Sequence, residues 1–462
     1  MIEAIHSEHP EFAAQRAIWK KYRDLYVGGE QLRQNAGDYL IRRQKETASV
    51  YAERLNRVFY ENYIGSIVDW YVATLFRREP VIVLEGDDRR GREFIAELSE
   101  DCDRRGTTIT EFFRRQMLEA LVCGVSYVLV DFPRAARRPE TLAEEDLEGT
   151  GRAYLSGCAA DQLVNWSTDS RGEFEWVVIR LTSLTKKSPA DSVWLRETRW
   201  LYYDRKDFAV YRRLEGAGAS GAVELLDSGV HPFSKIGKVP LYALRVPEGM
   251  WLLNKAGSLQ IEHLNKSNAL SWALTMGLFA QPVVYTEKAW NQIVGESYYL
   301  QLSPGDRFGW TEPEGHVFQI AADNLNRLKE EIYRVTYLMS QAGGSLVNQS
   351  GVSKQRDFAI TQEVLRTYGD IAKDTIKRVL RGILAVREDA LKVDVSGLDE
   401  FDIGDFSGEL ADAEKLLALA PGSATLKQQV FKKLAFKYLC DIRQELKDRI
   451  ANEIDEAMEA AK

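Results

Sequence analysis

The stretch KQRDFAITQEVLRTYGDIAKDTIKRVLRGILAVREDA, residues 354 to 390, contains no proline and can run helical for more than thirty residues. At ~1.5 Å per residue such a helix is on the order of 50 Å long, more than most single-domain helices. Phe358, Leu365, Tyr368, Ala372, Val379 and Ile383 give it an apolar stripe that has to be covered over most of that length. Other elements must therefore be laid along this rod.

The flanking sequence predicts an α+β chain that is mainly helical. Glu11 to Val27 reads as a helix with Phe12, Ile18 or Trp19, Tyr22 and Tyr26 on one side. TASVYAERLNRVFYENYIGSIVDWYVATLFRREP reads as one longer helical region closed by Pro80. EFIAELSEDCDRR and TEFFRRQMLEALVCG are two further helices, leading into SYVLVDFP, whose branched and aromatic run predicts a buried strand. After a charged linker over residues 137–151, EWVVIRLTSLT, VWLRETRWLYYD and DFAVYRRLE predict an antiparallel sheet. GAGASG at 216–221 has the form GxGxxG, but VELLD after it reads as a returning strand and not a helix, so a hairpin loop is expected there and not a phosphate cradle.

SLQIEHLNKSNALSWALTMGLF is then a long helix before Pro282. Residues 283–320 mix strand-like PVVY and YYLQL with a short helix around EKAWNQIV. Leu325, Leu328, Ile332, Val335 and Met339 follow at spacings of three and four, a narrow seam that suits either an ordinary core or a helix packed on copies of itself. From Gly408 the chain is helical, broken by PGS at 421–423 and divided again near Cys440 and Asp441.

Composition excludes several functions. A chain of 462 residues exceeds one simple core, and its formal charge of −8 argues against tight binding of nucleic acid by phosphate neutralisation, although not against DNA passing close by. Cys102, Cys123, Cys158 and Cys440 are far apart and form no metal-ligand pair, so reduced buried thiols are expected. The N-terminus has no secretory pattern, and ALSWALTMGLFAQPVVY meets Pro282 before reaching the ~20 apolar residues of a membrane span. No P-loop, HExxH or GxSxG motif occurs, and the five histidines share no local spacing. His263 on its helix is expected to be structural, and the acids Asp87-Asp88, Glu144-Glu145-Asp146 and Asp402 with Asp405 to be solvated. No enzyme, cofactor or metal is expected.

Just before the long helix stands QAGGSLVNQSGVSK, residues 341–354. Gly343, Gly344 and Gly351 supply backbone freedom, while Ser345, Asn348, Gln349, Ser350 and Ser353 supply neutral hydrogen-bonding groups. Lys354 and Arg356 suit phosphate contact or solvation equally. It is either a bland surface loop or a pliant element that touches something moving.

The order of these segments resembles the portal proteins of tailed bacteriophages. The likeness rests on ENYIGSIVDWYVATLFRREP (61–80), on the glycine-led CGVSYVLVDFP (123–133) and on KVPLYALRVP (238–247). It implies a portal architecture: wing 1–249, first stem helix 250–279, clip 280–320, second stem helix 321–341, tunnel loop 342–354, wing again over 355–407, and a helical crown 408–462. It also implies a closed homo-oligomeric ring, typically a dodecamer, at one capsid vertex of the virion, assembled in the host cytoplasm. Double-stranded DNA would pass through it during packaging and ejection, with Gly343, Gly344, Ser345, Asn348, Gln349, Ser350, Gly351, Ser353 and Lys354 facing the channel. The seam from Leu325 to Met339 would line the stem. Large terminase, a head-tail adaptor, the major capsid protein and a scaffold would be partners, and no membrane. Two other readings stay open on sequence alone: a metal-dependent nucleic-acid-processing enzyme and a non-viral helical adaptor.

Overall fold

The computed structural model describes residues 5–133, 149, 151–186, 188, 192–216, 221–277, 281–287, 302, 304–311, 315–338, 351–399, 401, 406–419, 423–439 and 444–460. The chain divides into two units, one of Met1–Arg23, Ser66–Lys255 and Gly351–Lys462, the other of Asp24–Gly65 and Ala256–Ser350.

The chain opens with α1 (Pro10–Val27), α2 (Gly29–Gln34), α3 (Ala48–Asn56) and α4 (Tyr63–Leu75). The helical region expected over 47–80 is therefore divided into two helices. Asn62 accounts for the restart: its amide nitrogen donates to the Tyr26 carbonyl at 2.8 Å and its Oδ1 accepts from the Gly65 N–H at 2.8 Å, capping α4. Strand β1 (Val81–Glu85) is followed by α5 (Arg89–Glu100), α6 (Ile109–Cys123), β2 (Val125–Asp131) and β3 (Tyr154–Cys158). Six strands come next: β4 (Leu163–Thr168), β5 (Phe174–Thr185), β6 (Leu195–Asp204), β7 (Asp207–Glu215), β8 (Val223–Val230) and β9 (Leu241–Arg245). Helix α7 (Leu252–Gly277), the ribbon β10 (Gln281–Tyr285) with β11 (Arg307–Thr311), and helix α8 (Gly315–Val335) lead to α9 (Gly351–Arg387). β12 (Lys392–Ser396) and helices α10 (Phe406–Leu419), α11 (Ala424–Tyr438) and α12 (Gln444–Ala460) close the chain. Cys440 lies outside the described residues.

In the first unit β2 is buried on both faces from Val125 to Val130 and pairs antiparallel with β3 and β9. Gly124 turns α6 into it with φ 82°, and a Cβ there would sit 3.0 Å from the indole of Trp251, so both backbone freedom and space require glycine. The Trp251 Nε1–H donates to the Val122 carbonyl at 2.9 Å. Strands β4 to β8 form a five-stranded antiparallel sheet in sequence order. β8 returns along β7 as expected, so a strand and not a helix follows GAGASG and the dinucleotide reading is removed; residues 217–220 lie outside the described residues. The His9 N–H donates to the Val164 carbonyl at 2.9 Å and its ring stacks 3.8 Å from Trp166, so the N-terminal segment covers the β4 edge.

The long helix α9 has 37 residues. Leu365, Tyr368, Ala372, Val379 and Ile383 are buried, and the helix packs on β9, on β12 and on the 3-10 turn Pro232–Ile236. A Cβ at Gly382 would strike the Tyr242 hydroxyl, which is why the rod carries a glycine at that point. It ends in a Schellman turn: Glu388 has φ 63° and the Asp389 N–H donates to the Leu384 carbonyl at 3.1 Å. Arg387 and Asp389, both buried, pair at 2.7 Å immediately beyond, with the guanidinium 3.9 Å from the Phe94 ring.

β1 and β12 pair antiparallel over five residues each. Sequence reading placed only a return there, because five-residue strands flanked by charge give little periodic signal. Helix α12 packs against β1 and α5, where buried Lys447 lies 3.4 Å from Glu79. Cys102, Cys123 and Cys158 are free and buried.

Candidate functional site

Of the residues expected to face a channel, Gly343, Gly344, Ser345, Asn348, Gln349 and Ser350 lie outside the described residues, as does Met339. Gly351, Ser353 and Lys354 belong to α9, which starts at Gly351 and not after Lys354. Serine and glycine are accepted at a helix's N-terminal boundary as well as in a loop, so composition could not place that boundary. Leu325, Leu328, Ile332 and Val335 all lie on α8. Leu328 and Ile332 are buried, Leu325 and Val335 half-buried.

The second unit is held together by polar side chains on α7. Gln260 Nε2 donates to the Glu61 carbonyl at 2.8 Å. Asn265 grips the chain twice, its Nδ2 donating to the Tyr39 carbonyl at 2.9 Å and its Oδ1 accepting from the Ile41 N–H at 2.8 Å. Asn268 repeats the arrangement on Phe59, at 2.9 Å and 3.1 Å. Three amides on one helix thus pair the backbone of residues 39–61, which has no strand partner there to satisfy it. Asp24 performs a similar service for the preceding turn, accepting from Gln31, Asn35 and Tyr39 at 2.8, 3.0 and 2.6 Å. The sequence concealed this because Gln260, His263, Ser267 and Asn268 occupy buried positions of α7, where a hydrophobic-periodicity argument looks for apolar residues.

Between α7 and α8 lies an aromatic and charged cluster. The Tyr63 ring stands edge-to-face with His263 of α7, centroids 5.1 Å apart, and 6.3 Å from Tyr333 of α8. Lys329 Nζ of α8 sits 5.7 Å from the same ring. The Tyr63 hydroxyl donates to Glu61 Oε2 at 2.7 Å, and that oxygen lies 3.5 Å from His263 Nε2. Burial, with Lys329 adding to it, pulls the His263 imidazole below its ordinary pKa against the opposing pull of Glu61. Burial first, then the Glu61 bond, raises the Tyr63 phenol. A direct contact joins the two helices farther along, Lys266 Nζ donating to Asn324 Oδ1 at 2.9 Å.

Burial is graded along both helices. On α8, Val317, Ile320, Leu328 and Ile332 fall on one broad face at helical spacing; Ile332 is fully buried, whereas Val317 and Ile320 are 62% and 56% exposed. α7 runs the same way, from buried Leu253 and Ala256 to exposed Leu274. Tyr285 on the ribbon that follows is 63% exposed. The apolar stripes therefore extend beyond the core of the unit into solvent.

Among the described residues no His, Cys, Asp and Glu group could hold a metal ion, and no helix is long and apolar enough to cross a membrane. No family model matches the sequence, and no curated protein matches it. Solved structures with some likeness include a chain from the neck of an empty gene transfer agent (GTA) particle computed with C6 symmetry, with a TM-score of 0.44, 12% identity and coverage of 78% of this chain and 86% of that one. A chain in the virion of a native gene transfer agent particle gives 0.43 and 12% over 82% of this chain and 92% of that one. One from the neck of the native GTA particle computed with C12 symmetry gives 0.38 and 11% over 80% and 90%. At these scores none of them assigns a role to this chain.

Proposed function

We propose that this chain is the portal protein of a tailed bacteriophage, a closed homo-oligomeric ring at one capsid vertex through which double-stranded DNA is packaged and ejected. The observation that carries the reading is the sequence of elements in the second unit: helix α7, the antiparallel ribbon β10–β11, and helix α8, with apolar stripes that leave Leu274, Val317 and Ile320 in water. A monomer gains nothing from that surface, whereas neighbouring protomers in a ring would cover it. The segments that carry the sequence resemblance fall on α4, on β2 with its leading Gly124, and on β9, which pairs with β2.

In this reading α7 and α8 are the stem, the ribbon is the clip, and α10 to α12 are the crown. Residues 342–350 and the start of α9 face the channel. A net charge of −8 keeps the wall from gripping a polyanion that has to slide. The chain is no enzyme and takes no cofactor; the energy of translocation comes from a separate terminase ATPase, and a head-tail adaptor, the major capsid protein and a scaffold are its other partners. Deleting 343–351 tests the channel assignment. Rings should form with unchanged mass while DNA packaging or retention falls; normal packaging by the deleted rings would refute it.

A further inference from the structure

We propose that His263, Glu61, Tyr63 and Lys329 form a proton-sensitive clasp that joins α7 to α8 through the ring of Tyr63 and loosens in mild acid. Tyr63 is a wedge: His263 of α7 meets its ring from one helix, Tyr333 and Lys329 of α8 from the other. His263 is 2% exposed, and its Nδ1 has no hydrogen-bond partner among the described residues, nor does Oε1 of Gln260 one turn away. The site is thus built for a neutral imidazole. Protonation would add a second N–H that no group receives in this arrangement and a second cation beside a ring that already faces Lys329.

The groups facing His263 set the direction of the response. Glu61 favours the charged form, but its side chain is 45% exposed and it already accepts the Tyr63 hydroxyl, so its pull is screened and shared. Lys329 opposes the charged form, and Tyr333 contributes no charge at these pH values. A neutral closed state and a protonated open state follow. In the open state His263 regains an ordinary pKa near 6.5, so opening is favoured as pH falls below that value and levels off once the closed state also protonates.

Amide hydrogen exchange of residues 256–277 and 316–335, measured on the full chain at pH 7.5 to 5 and corrected for intrinsic rates, reads this directly. The wild type should lose protection by a factor of at most about tenfold per pH unit, the limit for one proton. His263→Gln should abolish the dependence. Two charge variants separate the clasp from general acid loosening. Glu61→Gln, which keeps a partner for the Tyr63 hydroxyl, should enlarge the acid response by removing the counter-charge. Lys329→Met should shrink it. An acid response in His263→Gln equal to the wild type's, or Glu61→Gln and Lys329→Met shifting it in the same direction, overturns the proposal. Should His263→Gln fail to fold, the imidazole resonances of the wild type decide: a midpoint at or above the ordinary histidine value refutes the neutral closed state.

Discussion

Asp389→Ala should be among the most damaging single substitutions in the first unit. Arg387 and Asp389 are 3% and 1% exposed, their Nε and Oδ2 are 2.7 Å apart, and Arg90 reaches the second carboxylate oxygen at 3.7 Å. The Arg387 guanidinium also donates to the Gly151 carbonyl and lies 3.9 Å from the face of Phe94. Removing the carboxylate leaves a desolvated cation with one carbonyl and one ring, a loss expected to cost about 3–5 kcal/mol. The Schellman turn that holds Asp389 would be weakened as well, because its N–H to Leu384 is fixed by the same chain reversal. Urea unfolding followed by tryptophan fluorescence measures the cost, and exchange of the amides of 376–387 localises it to the end of α9. The double variant Arg387→Met with Asp389→Ala should recover most of the loss, since two apolar side chains have no charge to strand. A cost below about 1 kcal/mol for Asp389→Ala, or a double variant as unstable as the single, would show that the pair is solvated and that this reasoning is wrong.

Other outcomes follow from the packing and the titrating groups. Gly382→Ala should destabilise the chain by about 1–2 kcal/mol despite alanine's better helix propensity, because the new methyl meets the Tyr242 hydroxyl; adding Tyr242→Phe should recover part of the loss, since the ring carbon behind the hydroxyl stays 3.0 Å away, as thermal unfolding would measure. Burial pushes the thiols of Cys102 and Cys158 up to about 12 and raises that of Cys123 as well. None of the three should react with a thiol reagent at pH 8 until urea unfolds the chain, as a stopped mass-spectrometric count would show. Burial also lowers His231, whose Nε2 lies 2.7 Å from the Asp204 carbonyl, and His263. The unfolded chain therefore binds protons first, and stability should fall as pH drops from about 6.5 through the depressed values by no more than ~1.4 kcal/mol per pH unit for each histidine. Denaturation midpoints that stay flat between pH 7 and 5 would contradict this.

Much of the first unit was legible because its local signals agree with its tertiary environment. TEFFRRQMLEALVCG and SYVLVDFP read as a helix leading into a buried strand, and both are present; the Thr108 cap and the left-handed Gly124 that bound the helix emerge only in the structure. The β7–β8 hairpin was equally plain. What stayed hidden depends on partners distant in sequence. The break before α4 is decided by Asn62 reaching the Tyr26 carbonyl, and β1 pairs with a strand more than three hundred residues later. In the candidate site the apolar seam of α8 could be read by spacing, but the α7 face could not, because Gln260, Asn265 and Asn268 are there to satisfy a stretch of backbone and not to fill a core. The Tyr63 wedge was missed for the same reason: its residues come from three separated segments, and the sequence shows His263 only as a lone imidazole.

A portal requires protomers that close around a hole. The most direct measurement is an averaged electron-microscope image of the purified full-length protein viewed end-on, with mass measured on the same sample. The portal reading predicts a ring of several hundred kilodaltons, as about a dozen chains of 52.5 kDa require, with a central opening wide enough for a DNA duplex. A uniform population of single chains, or a closed particle with no axial opening, would contradict it.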